Sequence, residues 1–402
     1  MSTFETTNHR RGGAFRFALF DVGFRPFFLL GAAWSAVSLA LWVTVLRGGL
    51  QFADAYPAVM WHAHEMVYGF AAAIVAGFLL TAVPSWTGRP GLKGVGLAAL
   101  AVLWLAGRAA MLASGTLGVP LVAAVDLAFL AVVFARTAAQ VLAGRNFRNL
   151  PVAIAPGLLL AGNALVHAEA LDIAATATLG GRLGVVTIAM LVALIGGRII
   201  PAFTRNWLSA TGRGGPMPAE FGRFDVAVML LTAATFVAWL AGAQTVLTGV
   251  LAVLATAGNL ARLLRWQGWR TWREPLLWIL HLGYLWLPVG LALMAASALL
   301  PAALGPSTAL HALTAGLMGT MMLAMMTRAT LGHTGRKLSA DPATTVIYLA
   351  VLAAALLRIA AGLLPSYYLP LVAWSGGAWL GAFALYLLTY THKLCGPRVD
   401  RG

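Results

Sequence analysis

Residues 59–83 read VMWHAHEMVYGFAAAIVAGFLLTAV, an apolar run with two histidines and one glutamate near its start. A helix needs about 20 predominantly apolar residues to cross a hydrocarbon core of ~30 Å. This run is long enough, contains no Lys or Arg, and has Glu65 as its only carboxylate. It therefore predicts a transmembrane helix that carries His62, His64 and Glu65 into the bilayer.

The composition of the whole chain supports the same conclusion. Of its 402 residues, 60% are hydrophobic and 10% are charged, and the mean hydropathy is +0.85. A soluble domain carries about 25% charged residues, so this chain lacks the polar residues that a water-facing surface needs. The net charge of +15 would suit a nucleic-acid-binding protein if the chain were soluble, but basic loops also orient membrane proteins. We therefore expect a lipid bilayer, and no nucleic acid, as its partner.

Apolar windows of membrane-spanning length occur in twelve places along the chain. They predict an all-α polytopic membrane protein whose residues 1–402 form a single transmembrane domain, with residues 1–25 and 393–402 as cytoplasmic tails. The loops are short, so any chemistry must take place inside the bilayer. The windows lie near residues 26–46, 59–83, 95–113, 119–140, 151–170, 180–200, 225–243, 245–262, 275–297, 308–331, 343–363 and 368–391.

The distribution of basic residues predicts the orientation of these spans. If the N-terminus is cytoplasmic, only four of the 27 Lys and Arg residues lie on or toward the outer side: Arg47, Arg108, Arg182 and Arg358. Cytoplasmic loops of membrane proteins carry an excess of Lys and Arg. Adding or removing one span would destroy this asymmetry, so we expect both termini in the cytoplasm.

A faint internal repeat indicates how the spans are grouped. The predicted inner ends of spans 2, 6 and 10 each have a ring residue followed by Thr and then Arg within two positions, in residues 84–89, 201–205 and 332–336. This pattern favours three arcs of four helices. The alternative is that a small residue, a hydroxyl and a snorkelling Arg are common features of helix ends.

Histidines are the most informative polar residues of the spans. Imidazole is rare inside a bilayer, and an intramembrane ionisable residue suggests a functional site, although a single one can also be an interhelical hydrogen-bonding residue. The lone cysteine, Cys395, excludes a disulfide framework and a cysteine-ligated iron–sulfur cluster, so a metal would rest on His, Met or carboxylates. By predicted depth the histidines form an outer group (His62, His64, His167, His311) and an inner pair (His281, His333).

Haem is the cofactor that fits these features first. An apolar macrocycle can sit between helices at lipid depth, and its iron needs only one or two neutral imidazoles. Residues 62 and 64 are about 200° apart on a regular helix, so they address different sites. On the same geometry His311, Met318, Met322, Met325 and His333 lie within about 40° of one face of span 10. Methionine can bind Cu(I), but such a stripe is more typical of core packing.

The chain closely resembles the NnrS family over residues 20–340. The resemblance rests on VGFRPFF (22–28), WHAHEM (61–66), GFLLTAVP (77–84), WTGR (86–89), GRIIPAFT (197–204), HALT (311–314) and MMTRATLGHTGR (325–336). It implies a bacterial inner-membrane protein of about twelve helices that contains haem and copper, is expressed with nitric oxide metabolism and protects against nitrosative stress.

A looser similarity concerns architecture. Three arcs of four helices, with haem between spans 2 and 10, resemble the catalytic subunits of haem-copper oxidases and nitric oxide reductases, in which His62 or His64 with His311 would take the low-spin haem place. The chain departs from that pattern because span 10 has no His-x-His pair and spans 6 and 7 contain no histidine. Fold-level similarity does not by itself carry function.

We predict His64 and His311 as the axial ligands of haem b, with His62 as a further haem candidate. His62 is also the first candidate for copper, with His167 and Met318 as weaker partners. An alternative inner metal site would use His281 and His333. Arg182 or Arg47 would neutralise haem propionates on the outer side.

The expected function is protection against nitric oxide, by binding or reductively consuming nitric oxide or the metal–nitrosyl species that it forms. A consuming enzyme would be an oxidoreductase of the nitric oxide reductase type and would need quinol or another membrane electron donor. The alternatives are a non-enzymatic buffer or sensor of nitric oxide, haem or copper, and a membrane transporter.

Overall fold

The computed structural model describes residues 17–50 and 55–399. Within these ranges the regular structure is entirely helical, with no strand, and twelve helices are long and apolar enough to cross a membrane. Each predicted window falls on one of them, so the prediction of an all-α protein with twelve spans is confirmed for this part of the chain. The helices are α1 (Phe24–Leu46), α2 (Ala58–Thr87), α3 (Val95–Leu112), α4 (Val119–Ala143), α5 (Phe147–Ala170), α6 (Ala177–Ala210), α7 (Arg223–Ala241), α8 (Val246–Arg265), α9 (Pro275–Leu299), α10 (Pro306–His333), α11 (Pro342–Leu363) and α12 (Pro365–Cys395).

Polar residues mark where several helices begin. The side chain of Thr245 accepts a hydrogen bond from the backbone N–H of Thr248 at 3.1 Å and starts α8 after a short break. Glu274 and Asp341 likewise accept backbone N–H groups at the starts of α9 and α11, each just before a proline. A side-chain oxygen at this position satisfies a backbone donor that has no partner within the helix.

The interior of the bundle is formed mainly by α2 and α10. In their most apolar stretches 78% of the α2 residues and 72% of the α10 residues are buried, against 22% for α1. Helices that are neighbours in sequence also pack together, and α1 packs on α12. The two most buried helices are therefore the ones that carry His62, His64 and His311. The grouping into three arcs stays a prediction.

The two ends of the described chain lie together. The backbone N–H of Ala18 donates to the carbonyl of Cys395 at 2.8 Å. The buried guanidinium of Arg25 donates to the carbonyls of Leu394 and Gly396 at 2.6 and 2.7 Å. Both ends therefore lie on the same side of the bundle, as twelve crossings require. Residues 1–16 and 400–402 of the predicted tails lie outside the described residues, and α12 extends to Cys395, two residues beyond the start of the predicted C-terminal tail.

Both interior helices contain a π-helical segment directly after a histidine. In α2 it covers Glu65–Ala71, after His64, and in α10 it covers Ala312–Met318, after His311. A π segment has i→i+5 hydrogen bonds and occurs frequently at functional sites. Because its turns are wider than those of an α-helix, the single stripe predicted from His311 through the methionines of α10 does not follow from regular-helix geometry.

Candidate functional site

A cavity of 560 Å³ lies between α2 and α10, at the end of the bundle where both helices begin. Its walls are mostly apolar and aromatic, and its volume is within the range of small-molecule sites. Helices α1, α5, α6, α7, α11 and α12 also contribute to it. The aromatic residues among its walls are Trp42, Tyr68, Phe70, Trp239 and Trp379.

Two of the predicted ligand histidines, His62 and His311, line this cavity together. The ring of His62 stacks on Trp42 with centroids 4.5 Å apart and planes 10° apart, and its buried Nδ1 has no hydrogen-bond partner. His311 Nδ1 lies 2.7 Å from the carbonyl of Ser307. With Nδ1–H donating to that carbonyl, Nε2 of His311 keeps its lone pair. The cavity therefore holds two nitrogen donors of the kind that bind iron.

Two arginines contribute positive charge to the same cavity. Arg182 lies 5.0 Å over the ring of Trp239, and Arg358 lies 5.6 Å over the ring of Tyr368. The carboxylate of Glu169 also lines the cavity and accepts the backbone N–H of Ala177 at the start of α6 at 2.7 Å. Apolar walls with two guanidinium groups suit a large apolar ligand that carries anionic groups.

A buried polar cluster adjoins the cavity on its α2 side. We use this name for six residues of α2, α3, α4 and α5, each at most 4% exposed. Because a buried charge is costly unless it is paired, these residues must satisfy one another. The polar cluster consists of His64, Glu65, Arg108, Asp126, Asn163 and His167.

Arg108 joins the two carboxylates of the polar cluster. Its Nη1 donates to both oxygens of Glu65, at 2.7 and 2.6 Å, and its Nη2 donates to Oδ1 of Asp126. Trp34 of α1 donates its indole N–H to Oε2 of Glu65 at 2.6 Å. Gly69 lies against this contact, because a Cβ there would come within 2.7 Å of Arg108 Nη1. The two ion pairs therefore join α2, α3 and α4 inside the bundle, and the hydrogen bond from Trp34 adds α1.

His64 and His167 both direct Nε2 toward the other oxygen of Asp126. These nitrogens lie 3.1 and 3.0 Å from Oδ2. Nδ1 of His64 lies 2.9 Å from Oε1 of Glu65, whereas Nδ1 of His167 accepts the phenol hydrogen of Tyr56 at 2.7 Å. Both ring nitrogens of each histidine are thus held by named partners, and burial raises the pKa of Tyr56, which keeps its phenol a donor.

Asn163 completes the polar cluster. Its Oδ1 lies 2.8 Å from His64 Nε2, and its Nδ2 donates to Asp126 Oδ2 at 2.7 Å. One nitrogen of each imidazole and one oxygen of Asp126 lie within 4.8 Å of one another, close enough to hold a metal ion.

The structure divides the predicted outer ligands between two places. His62, His311 and Met318 line the cavity, whereas His167 lies in the polar cluster. His64 forms part of the cavity wall, but both of its ring nitrogens make contacts within the polar cluster. The predicted copper ligands therefore do not all meet at one point, and His62 rather than His64 has a nitrogen without a protein partner.

The inner histidines have separate environments. Nε2 of His281 lies 3.0 Å from the hydroxyl of Thr204, and its ring is near Trp266. The ring of His333 packs against Phe24 with centroids 5.4 Å apart. Among the described residues no hydrogen bond or ring contact joins His281 to His333. The inner metal site stays a prediction without a supporting contact.

The amino-acid sequence alone did not predict the partners that complete the polar cluster. Arg108 and Asp126 stood in different spans, and Tyr56, Asn163 and Trp34 carried no signal in the sequence. A usable signal did exist, because charged residues within predicted spans must pair inside the bundle. Glu65, Arg108 and Asp126 were therefore candidates for mutual contacts.

Two comparisons with known proteins bear on the family of this chain. The family model described as NnrS protein matches residues 18–398, nearly the whole chain. The search of curated proteins finds no match.

Proposed function

The chain belongs to the NnrS family, and from this premise we propose that it is a membrane haem protein that protects against nitric oxide by binding nitric oxide or metal–nitrosyl species in the cavity between α2 and α10. One observation carries the proposal: His62 and His311 line the same cavity of 560 Å³. We propose these two histidines as the residues that would hold haem b. His64 is less suited because both of its ring nitrogens already contact carboxylates.

The remaining residues of the cavity fit the same ligand. The buried Nδ1 of His62 has no hydrogen-bond partner, which is costly for a polar atom unless a ligand satisfies it. Trp42 keeps the His62 ring in one plane by stacking, and Arg182 and Arg358 supply positive charge for propionates. Bound haem would supply an iron centre for nitric oxide, and mostly apolar walls admit this small uncharged molecule.

Titratable groups next to the cavity support reductive consumption as the form of protection. Reduction of two nitric oxide molecules to nitrous oxide and water takes two electrons and two protons. The electrons would come from a quinol, and the polar cluster holds Glu65, Asp126 and two imidazoles directly behind the cavity wall. Proton transfer in enzymes uses side chains of these types.

Haem content of single variants tests the proposed ligands. The full-length protein is purified with haem b and its haem is measured as the pyridine haemochrome. We expect His62→Ala and His311→Ala to lose haem or its low-spin spectrum. His333→Ala on the inner side should behave as wild type. Full occupancy with an unchanged spectrum in both His62→Ala and His311→Ala would refute the assignment, and haem loss in His333→Ala would move the cofactor to the inner side.

Turnover separates the enzyme from its alternatives. The haem-loaded protein is supplied with nitric oxide and a quinol, and nitrous oxide is measured together with the oxidised quinone. Stoichiometric formation of both products supports an oxidoreductase. Tight binding of nitric oxide without nitrous oxide would identify a buffer or sensor instead. Nitric oxide crosses a bilayer without a protein. A transporter of nitric oxide itself is therefore the least favoured alternative.

A further inference from the structure

We propose that a stripe of buried hydroxyl groups between α10, α11 and α12 carries protons to the cavity from the opposite end of the bundle. The inference rests on the proposed function, because reduction of two nitric oxide molecules to nitrous oxide and water takes up two protons. We use the name hydroxyl stripe for six residues of these helices, each 0% exposed. The hydroxyl stripe consists of Thr320, Thr327, Thr344, Tyr348, Tyr386 and Tyr390.

The hydroxyl stripe contains two hydrogen-bonded pairs that each join two helices. The hydroxyl oxygens of Thr344 on α11 and Tyr390 on α12 lie 2.7 Å apart, and those of Thr327 on α10 and Tyr348 on α11 lie 2.5 Å apart. Thr344 and Tyr348 are four residues apart on α11, or about 6 Å along the helix. A hydroxyl both donates and accepts hydrogen bonds. A proton can therefore pass along these groups without leaving a lasting charge inside the bundle.

A charged pair stands at the end of the hydroxyl stripe farthest from the cavity. A carboxylate oxygen of Asp341, at the start of α11, lies 3.7 Å from Nζ of Lys393, and the Asp341 side chain is 48% exposed. Nζ of Lys393 lies 4.2 Å over the ring of Tyr390, and the other carboxylate oxygen accepts the backbone N–H of Thr344 at 2.7 Å. A carboxylate can take a proton from water and pass it on. The hydroxyl stripe therefore begins beside a group that can collect protons.

The same three helices contribute walls to the cavity at their other ends. Met318 of α10, Arg358 of α11 and Trp379 of α12 all line it. Tyr386 stacks on Tyr390 with ring centroids 4.9 Å apart and planes 9° apart. It extends the stripe one helical turn closer to Trp379, so the hydroxyl groups lead from the charged pair toward the cavity.

Thr320 lies between the hydrogen-bonded pairs and the cavity. It precedes Thr327 by seven residues in the α-helical part of α10, which places both on nearly the same face, and it is two residues from Met318 in the cavity wall. Its buried hydroxyl oxygen has no hydrogen-bond partner among the described residues. A buried polar group without a partner is costly, and buried water typically satisfies such groups. Water bound to Thr320 would continue the path from Thr327 into the cavity.

Proton flux through the haem-free protein tests the path without any turnover. Pro57, Val59 and Ser307 line the cavity and are exposed, so without haem the hydroxyl stripe and the cavity would together connect both ends of the bundle. The full-length protein is reconstituted in lipid vesicles, a potassium diffusion potential drives protons inward, and pyranine reports the internal pH. We expect a flux above that of empty vesicles. Thr327→Val and Tyr348→Phe should lower it at least about tenfold, because a positioned proton-transfer group contributes about 10²–10⁴-fold to a rate.

Tyr284→Phe is the matched control. Tyr284 is also 0% exposed, and its hydroxyl contacts Arg262 and Asn259, each at 2.7 Å, outside the hydroxyl stripe. Buried hydroxyls can serve only to hold helices together, and in that case Tyr348→Phe and Tyr284→Phe would conduct alike. We expect Tyr284→Phe to conduct as the wild type does. Asp341→Asn keeps a favourable helix cap but removes the carboxylate, and should also lower the flux.

Two results would overturn the path. One is a wild type that conducts no more than empty vesicles, and the other is an unchanged flux in both Thr327→Val and Tyr348→Phe. Haem binding by each variant, measured as the pyridine haemochrome, shows that the variant is folded.

Turnover of the haem-loaded vesicles separates this inference from the proposed function. With nitric oxide and a quinol supplied, we expect Tyr348→Phe to form nitrous oxide more slowly than the wild type, with unchanged haem content and unchanged binding of nitric oxide. A wild type that conducts protons but forms no nitrous oxide would support the path and refute the reductive form of the proposed function. Equal rates of nitrous oxide formation in the wild type and Tyr348→Phe would refute the role of the hydroxyl stripe alone.

Discussion

His62 and His64 stand two residues apart on α2, and their imidazoles make contacts in two different environments. His62 stacks on Trp42 and lines the cavity, whereas His64 places both ring nitrogens against the polar cluster. The reason is geometric, because residues 58–64 are α-helical and two positions on an α-helix differ by about 200°. One helix therefore contributes one imidazole to the cavity and another to the polar cluster.

Removing Arg108 should strongly destabilise the protein. Arg108→Met leaves Glu65 and Asp126 buried without their shared cation, and breaking a buried ion pair costs about 3–5 kcal/mol. Thermal unfolding in detergent micelles measures the effect. Arg89→Ala is the matched control, since Arg89 is exposed and its guanidinium donates to the carbonyl of Ala143 at 3.5 Å. Equal melting temperatures for the two variants would contradict the role given to the polar cluster.

Substitution of Arg182 should weaken haem retention, if haem occupies the cavity. Arg182→Gln removes a guanidinium that lines the cavity, and a hydrogen bond to a charged group contributes about 1.5–3 kcal/mol. Loss of this energy should raise the rate of haem dissociation at least about tenfold. Arg47→Gln is the control, because Arg47 does not line the cavity. Haem transfer to an apo-protein acceptor reports both rates, and a larger effect at Arg47 would reverse the assignment.

Adjacent glycines of α6 should respond in opposite ways to alanine. A Cβ on Gly180 would lie 2.4 Å from the carbonyl oxygen of Gly162 on α5, whereas a Cβ on Gly181 meets no atom within 4 Å. Overpacking costs about 1–3 kcal/mol, so Gly180→Ala should lower the melting temperature. Gly181→Ala should leave it unchanged or raise it, because alanine favours a helix over glycine by roughly 0.5–1 kcal/mol. Similar losses in both variants would mean that α5 and α6 are not this close.

The start of α11 should make a contribution to stability that depends on pH. Partial burial alone would raise the pKa of Asp341, but hydrogen bonds from Thr344 and the charge of Lys393 outweigh it and hold the pKa below the ordinary 3.8. Because the pKa is lower in the folded state, the ionised carboxylate stabilises the protein at pH values above about 3.8. This stabilisation is lost as the pH falls below that value.

Asp341→Ala tests this pH dependence by removing the side chain that caps α11. Loss of an N-cap side chain costs about 0.5–2 kcal/mol, so the variant should melt below the wild type at neutral pH. The difference should shrink as the pH falls into the range below the ordinary pKa. Glu220→Ala, which removes a carboxylate that is 82% exposed, should show neither effect. A difference that is constant over the whole pH range would exclude the carboxylate as its source.

Hydropathy predicted the twelve helices because the signal for a membrane span is local. Each span must satisfy its backbone within one helix and present apolar side chains to lipid, and both requirements are visible in about 20 consecutive residues. Even the break between α7 and α8 was predicted, and Thr245 explains it with a capping hydrogen bond. The depth of each histidine also follows from its position within a span.

The contacts of these histidines are set by packing between helices that are distant in sequence. His62 and His311 line one cavity because α2 lies near α10. His64 and His167 both contact Asp126 because α2, α4 and α5 meet inside the bundle. The π segments after His64 and His311 further change the angles that a regular helix would give. The sequence by itself thus determined the spans and the residue types available for a site, because both depend on local chemistry. The tertiary structure alone decided which of those residues meet, because buried charges and imidazoles pair across the bundle with whichever helix stands next to them.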